Sequence, residues 1–107
     1  MDLLEKSIYI MSLFDIYQGL LTEKQRMYMR EYYYDDLSLQ EIAENHSVSR
    51  NAVHDQIKKT IQKLETYETI LELHSKQQKQ DEIYQQLSES NLSSEIRHLI
   101  EALKKVE

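Results

Sequence analysis

Residues 41–57, EIAENHSVSRNAVHDQI, show the pattern of a helix, a tight turn and a second helix. Ser47 and Val48 form the predicted turn, with Ser47 in the place that glycine usually takes. Ala43 supplies the small residue that two closely crossing helices need. Ser49 is a favourable N-cap for the second helix. We therefore predict a helix-turn-helix in this stretch.

The outward side of the second helix is polar and basic. Arg50, Asn51, His54 and Lys58 follow one another at spacings of one, three and four residues, which places them on one exposed face. Arginine can pair with guanine edges and asparagine with adenine edges in the major groove, and a capped helix start can hold a phosphate. The predicted nucleic-acid-binding residues are Ser49, Arg50, Asn51, His54, Lys58 and Lys59.

The stretches before this motif also have helical periodicity and clear start signals. A first helix is predicted over residues 3–18, with Gly19 as a left-handed stop. Its predicted apolar stripe consists of Leu4, Ile8, Met11, Phe14 or Asp15, and Tyr17, and is widened by Leu3, Ile10 and Leu13. Thr22 and Gln25 form a capping box for a second helix that runs to about residue 33. Its predicted apolar positions are Met27, Tyr28, Met29 and Tyr32. Ser38 and Glu41 form a second box, for a helix over residues 39–46.

No helix-breaking residue follows Ser49 for a long distance. The fourth helix is therefore predicted to continue to about Ser88 and to exceed 35 residues, with Ala52 or Val53, Ile57, Ile61 and Leu64 facing inward. Residues 77–81 are polar on every side, which leaves a bend or a frayed turn open there. Ser93 or Ser94 caps a final helix whose apolar residues are Ile96, Leu99, Ile100, Leu103 and Val106. We predict one compact all-α unit with two parts, residues 1–64 and a helical extension over residues 65–107.

Charge and composition narrow the classes of function. The net charge is -6, and residues 65–107 contribute -4 of it, whereas residues 22–64 are neutral. The chain has no cysteine, its histidines have no metal-ligand spacing, and its single glycine excludes a glycine-rich phosphate loop. No signal peptide or membrane-length apolar run is visible. We expect a cytoplasmic protein that is not an enzyme, uses no metal or cofactor and binds no membrane.

Residues 21–64 resemble the last domain of bacterial sigma factors, which recognises an upstream promoter element. The family pattern, "LTxxQR", "S-x-x-EIA" and "VSRxxV", is matched at Thr22, Gln25, Glu41, Ile42, Ala43, Val48, Ser49, Val53, Ile57 and Leu64. Over essentially all 107 residues, the chain looks like the YlxM family of Gram-positive bacteria. That resemblance implies a regulatory role in the signal recognition particle pathway. The chain lacks the length for the other domains of a sigma factor.

Two kinds of function remain open. The first is a nucleic-acid-binding regulator, with DNA or the particle's RNA as ligand and with a homodimer reading two half-sites. The second is a protein-interaction module whose acidic extension binds a basic protein of the signal recognition particle pathway. The apolar final helix packs either against a second copy or back on residues 3–18. For Tyr32, Tyr33 and Tyr34 we favour core filling over base stacking.

Overall fold

The computed structural model describes residues 1–106, and every regular element in this range is helical. This confirms the all-α prediction. In chain order the helices are α1 (Leu3–Tyr17), α2 (Glu23–Tyr33), α3 (Leu39–His46), α4 (Arg50–Leu71), α5 (Leu73–Glu89) and α6 (Ser94–Lys104), with a short 3-10 helix (Gln18–Leu20) after α1. None of the helices in this range is long and apolar enough to span a membrane.

The predicted start signals of α2, α3 and α4 act as expected. The Thr22 hydroxyl accepts the Gln25 N–H, and the Gln25 side chain in turn accepts the Thr22 N–H at 3.0 Å. Ser38 and Glu41 make the same reciprocal pair at the start of α3. Each box satisfies backbone donors that a helix end otherwise leaves without partners. These starts are local, so the sequence locates them within one residue.

The chain divides into two compact units, an N-terminal unit, Met1–His74, and a C-terminal unit, Ser75–Glu107. In the N-terminal unit α4 contacts α1, α2 and α3. The core has twelve buried apolar side chains, which are Ile10, Leu13, Phe14, Tyr17, Leu21, Tyr28, Met29, Ile42, Ala43, Val53, Ile57 and Leu64. Tyr67 packs on this core, and Glu68 bonds to Tyr17.

Three predicted features of the first two helices are wrong. In α1 the predicted positions Ile10, Leu13, Phe14 and Tyr17 are buried, but Leu3, Leu4 and Ile8 are exposed, so the N-terminal part of the predicted stripe does not join the core. Met27 and Tyr32 in α2 are also exposed, whereas Tyr28 and Met29 are buried. Gly19 does not adopt a left-handed conformation; it lies inside the 3-10 helix. That helix tightens the end of α1, so no left-handed residue is required there.

The prediction of one helix from Ser49 to about Ser88 is also wrong. Glu72 adopts a left-handed conformation, with φ 54° and ψ 28°, and separates α4 from α5. The hydroxyl of Tyr17 accepts the Leu73 N–H at 3.1 Å, and Glu68 Oε1 accepts the His74 N–H at 3.0 Å. Side chains from α1 and α4 thus satisfy the first donors of α5, and a break without glycine or proline is held by tertiary contacts.

The C-terminal unit consists of most of α5, a short loop and α6. Ser93 caps α6 by accepting the Ile96 N–H, and Arg97 donates to the carbonyls of Ser88, near the end of α5, and Ser90, in the loop. Tyr84 is the buried residue among those described in this unit, and the Nζ atom of Lys104 lies 5.2 Å from its ring centre. With six acidic and five basic residues this unit has a net charge of -1, so the remaining -5 lies in the N-terminal unit.

Tyr33 fills the core edge as predicted, while Tyr32 and Tyr34 are more exposed. The Tyr34 hydroxyl donates to Asp15 Oδ1 at 2.7 Å and ties the end of α2 to α1. Burial, and secondly this hydrogen bond, raise the pKa of Tyr34 from 10.0 to about 12.

A prediction for alkaline pH follows from this raised pKa. A group with a raised pKa stabilises the fold fully below its unfolded pKa, and the stabilisation disappears as the pH rises through the folded pKa. We expect Tyr34→Phe to be less stable than the natural protein at pH 8, and the difference to shrink between pH 10 and 12. Urea unfolding at several pH values measures it. A difference in unfolding free energy that stays constant between pH 10 and 12 would contradict the raised pKa of Tyr34.

Candidate nucleic-acid interface

The turn between α3 and α4 fixes the direction of α4. Ser47 adopts a left-handed conformation, with φ 56° and ψ 44°, and its N–H donates to the Glu44 carbonyl. The Val48 N–H donates to the Ala43 carbonyl at 3.0 Å. This pair of hydrogen bonds is the Schellman arrangement that ends many helices. The predicted turn therefore forms, and serine occupies the position that favours glycine.

Replacing Ser47 by glycine is expected to stabilise the protein. A left-handed conformation costs a residue with a Cβ about 1–2 kcal/mol, and glycine avoids this cost at some loss of unfolded-chain entropy. We expect a gain of about 0.5–1 kcal/mol in the free energy of unfolding. Urea denaturation measures it, with Asn45→Gly, an exposed position inside α3, as a control that must destabilise. A loss of stability in Ser47→Gly would contradict the turn geometry.

The inner side of α4 is anchored in the core from Val53 to Tyr67. Val53, Ile57 and Leu64 are buried, and Ile61 is half-buried, as predicted. Ala52, the alternative to Val53, is exposed. Thr60 is fully buried as well, which the sequence did not predict, and its hydroxyl donates to the Gln56 carbonyl within the helix at 2.7 Å. That hydrogen bond allows a polar side chain in the core. This anchoring leaves the opposite side of α4 facing outward.

All six predicted nucleic-acid-binding residues are exposed at the start of α4, namely Ser49, Arg50, Asn51, His54, Lys58 and Lys59. Ser49 accepts the Ala52 N–H at 3.0 Å and so caps the helix. The side chains of Arg50, Asn51, Lys58 and Lys59 have no hydrogen bond or ion pair with residues 1–106. These groups can therefore contact a ligand without first breaking an internal bond.

Three other basic residues of the N-terminal unit are already engaged. Arg26 donates to the carbonyls of Gln18 and Leu21, and Arg30 donates to the Gln18 side chain. His46 lies 2.7 Å from Glu31 and joins α3 to α2. The outer face of α4 is thus the surface on which several basic side chains without an internal hydrogen bond or ion pair lie close together. One acidic residue accompanies them, since Asp55 lies 3.6 Å from the His54 ring.

A groove of about 480 Å³ extends this surface from α4 to α1. His54 and Lys58 line it on the α4 side, and Lys6 and Ser7 line it on the α1 side. Tyr33 closes one part of the groove, and burial raises the pKa of its hydroxyl. Lys6 was not among the predicted site residues. It lies 48 residues before His54 in the sequence, and no local pattern links the two positions.

Comparison with known proteins agrees with this geometry. A family model described as "Putative helix-turn-helix protein, YlxM / p13 like" matches residues 4–106. The chain belongs to this family, UPF0122. It is 50% identical to UPF0122 protein BH2485 of Halalkalibacterium halodurans, over 98% of this chain and all of the relative. It is also 50% identical to UPF0122 protein YlxM of Bacillus subtilis, over 97% of this chain and 98% of that protein.

Membership of UPF0122 confirms the resemblance to the YlxM family that the sequence suggested. A third relative, the UPF0122 protein of Bacillus thuringiensis, is 46% identical over 98% of this chain and all of its own length. The family description names a helix-turn-helix protein and no enzymatic activity. In this chain the matching feature is α3, the Ser47 turn and α4.

Proposed function

We propose that this member of UPF0122 is a nucleic-acid-binding regulatory protein and that the outer face of α4 is its reading surface. One observation carries the proposal. The inner side of α4 is anchored by buried side chains, while Arg50, Asn51, Lys58 and Lys59 on its outer side are exposed and make no hydrogen bond or ion pair with residues 1–106. A rigid helix with such a face fits the major groove of DNA.

The residues have separate roles in this proposal. Arg50 and Asn51 lie in the first turn of α4, where the side chains of a recognition helix reach base edges, guanine for arginine and adenine for asparagine. Lys58 and Lys59 contact phosphates, and Lys6 adds a phosphate contact from α1 across the groove. The Ser49 hydroxyl holds a phosphate at the helix start. His54 lies between the residues that contact bases, Arg50 and Asn51, and the lysines that contact phosphates, Lys58 and Lys59.

The net charge of -6 shapes the expected binding mode. Affinity for any DNA sequence rests largely on neutralised phosphates, so binding without sequence preference should be weak. A homodimer that places two copies of α4 in successive major grooves doubles the contacts and adds specificity. We therefore propose that the protein acts as a homodimer on two half-sites.

The cellular setting is part of the proposal. The resemblance to the YlxM family implies a regulatory role in the signal recognition particle pathway, and we propose that the protein acts there, in the cytoplasm. The alternative of an acidic extension that binds a basic protein has little support from charge. The C-terminal unit has a net charge of only -1, and Glu65, Glu68 and Glu72 of the predicted extension belong to the N-terminal unit.

Selection of bound sequences from a random DNA pool tests the proposal. Purified protein should enrich a sequence with two related half-sites, and the enriched DNA should bind at least about a thousandfold more tightly than the starting pool. The RNA of the signal recognition particle is added as competitor in a parallel selection. Enrichment that this RNA abolishes would identify RNA as the ligand. A pool without enrichment after repeated rounds would contradict the proposal.

A further inference from the structure

Three apolar side chains of α6 form an exposed row, and Val106 continues it in the turn just after the helix. Ile96, Leu99, Leu103 and Val106 are 47%, 66%, 56% and 81% exposed. Their spacing is three, four and three residues, which is the spacing of the first and fourth positions of a heptad. Within α6 this row keeps to one side of the helix over about two turns, which is typical of a helix that packs along another helix.

The core of the C-terminal unit is too small to stabilise this unit without further apolar contacts. Among its described residues only Tyr84 is buried, while Ile83 of α5 is as exposed as the row on α6. A hairpin of two helices with one buried side chain gains little from apolar burial. Additional apolar contact is therefore expected to stabilise this unit considerably.

We infer that the row on α6 is the homodimer interface and that a second copy covers it with its own α6, in antiparallel orientation. This inference rests on the homodimer part of the proposed function. The charge of each unit favours a second copy at this surface: two C-terminal units, each at -1, repel one another little, whereas two N-terminal units, each at -5, repel strongly.

The charges at the two ends of α6 favour the antiparallel orientation. The helix begins with Glu95 and ends with Lys104 and Lys105. Lys104 is engaged with Glu101 and the Tyr84 ring, so Lys105 is the basic residue that can pair with a second copy. In an antiparallel pair, Glu95 lies near Lys105 of the partner subunit. The two helix dipoles then point in opposite directions, which is the favourable arrangement.

The oligomeric state in solution, without nucleic acid, tests the interface. Because a contact between two short helices is small, we expect a dimer with a dissociation constant in the micromolar range. Sedimentation equilibrium from micromolar to millimolar protein should show it. Leu99→Gln with Leu103→Gln should weaken the dimer at least about thirtyfold, since two apolar contacts are lost from each copy. Far-UV circular dichroism verifies that this variant stays helical.

The N-terminal unit offers a matched control. Leu4→Gln with Ile70→Gln changes two exposed apolar residues in the same way, and it should leave the dissociation constant unchanged. A natural protein that stays monomeric at millimolar concentration would overturn the inference, and so would a dimer that only the control variant weakens. Because the assay contains no nucleic acid, these outcomes are separate from failure of DNA binding.

Single cysteines test the orientation, because the natural chain contains none. In an antiparallel pair Ile96 faces Val106 of the partner subunit. Oxidation should therefore cross-link a mixture of Ile96→Cys and Val106→Cys variants, and neither variant alone should cross-link with itself. Self-cross-linking of each variant alone would show a parallel pair and overturn the antiparallel assignment.

Discussion

Replacing Tyr17 by Phe is expected to lower the free energy of unfolding by about 2 kcal/mol, because the hydroxyl of a buried side chain is removed together with its two hydrogen bonds. The ring stays in the core, so apolar packing is retained. The lost hydroxyl donates to Glu68 Oε1 at 2.7 Å and accepts the Leu73 N–H at 3.1 Å. Burial, and secondly the hydrogen bond to Glu68, also raise the pKa of Tyr17, which keeps it a neutral donor.

The same substitution should also destabilise the backbone conformation at the break between α4 and α5. Glu72 is held in a left-handed conformation, which is unfavourable for a residue with a Cβ, and the hydrogen bonds of Leu73 and His74 compensate for it. We expect the Leu73 amide to exchange with solvent much faster in Tyr17→Phe. Urea denaturation and amide hydrogen exchange measure the two effects.

Tyr67→Phe is the matched control for this prediction. Its hydroxyl makes one long hydrogen bond, to the Leu20 carbonyl at 3.4 Å, so its loss should cost less than about 0.5 kcal/mol. Its ring lies 5.9 Å from that of Tyr17, so both variants change the same region of the core. Equal losses of unfolding free energy in the two variants would mean that the Tyr17 hydroxyl does not stabilise the break between α4 and α5.

The second large effect is expected in nucleic-acid binding. Arg50→Ala with Lys58→Ala should weaken binding of duplex DNA by at least about 2 kcal/mol, or roughly thirtyfold, because one base contact and one phosphate contact are lost. The slope of log affinity against log salt should also fall, by about 0.9 for each phosphate contact removed. Fluorescence anisotropy at several salt concentrations measures both quantities. The exposed side chains support no other part of the fold, so stability should hardly change.

Lys24→Ala with Lys79→Ala is the control for this effect. It removes the same formal charge from exposed positions outside the proposed interface. This variant should bind DNA almost as well as the natural protein. If both double variants lose affinity equally, binding depends on overall charge and not on the outer face of α4.

Local signals in the sequence predict where the helices start and which residues share the outer face of α4. The capping boxes of Thr22 and Ser38, and the Ser49 cap, involve side chains within three residues of one another. The outer face of α4 lies on one helix, so periodicity alone shows which residues share it. The structure places those residues where the sequence predicted them, while their contact with nucleic acid remains a prediction.

Features that depend on distant residues were missed for a physical reason. The break at Glu72 relies on Tyr17, which lies 51 residues before Glu68 and is brought beside it only by the packing of α1 on α4. No glycine or proline marks the site. Lys6 joins the groove through the same packing. At Gly19 a familiar helix stop suggested a left-handed residue, but a 3-10 helix ends α1 instead.

The central claim is that the outer face of α4 contacts nucleic acid, and nuclear magnetic resonance tests it most directly. Isotope-labelled protein is titrated with duplex DNA at low ionic strength, and the amide shifts are mapped onto the sequence. We expect the largest shift changes between Ser49 and Lys59, with smaller changes near Lys6. An absence of shift changes at low salt, or changes centred on α5 and α6, would contradict it.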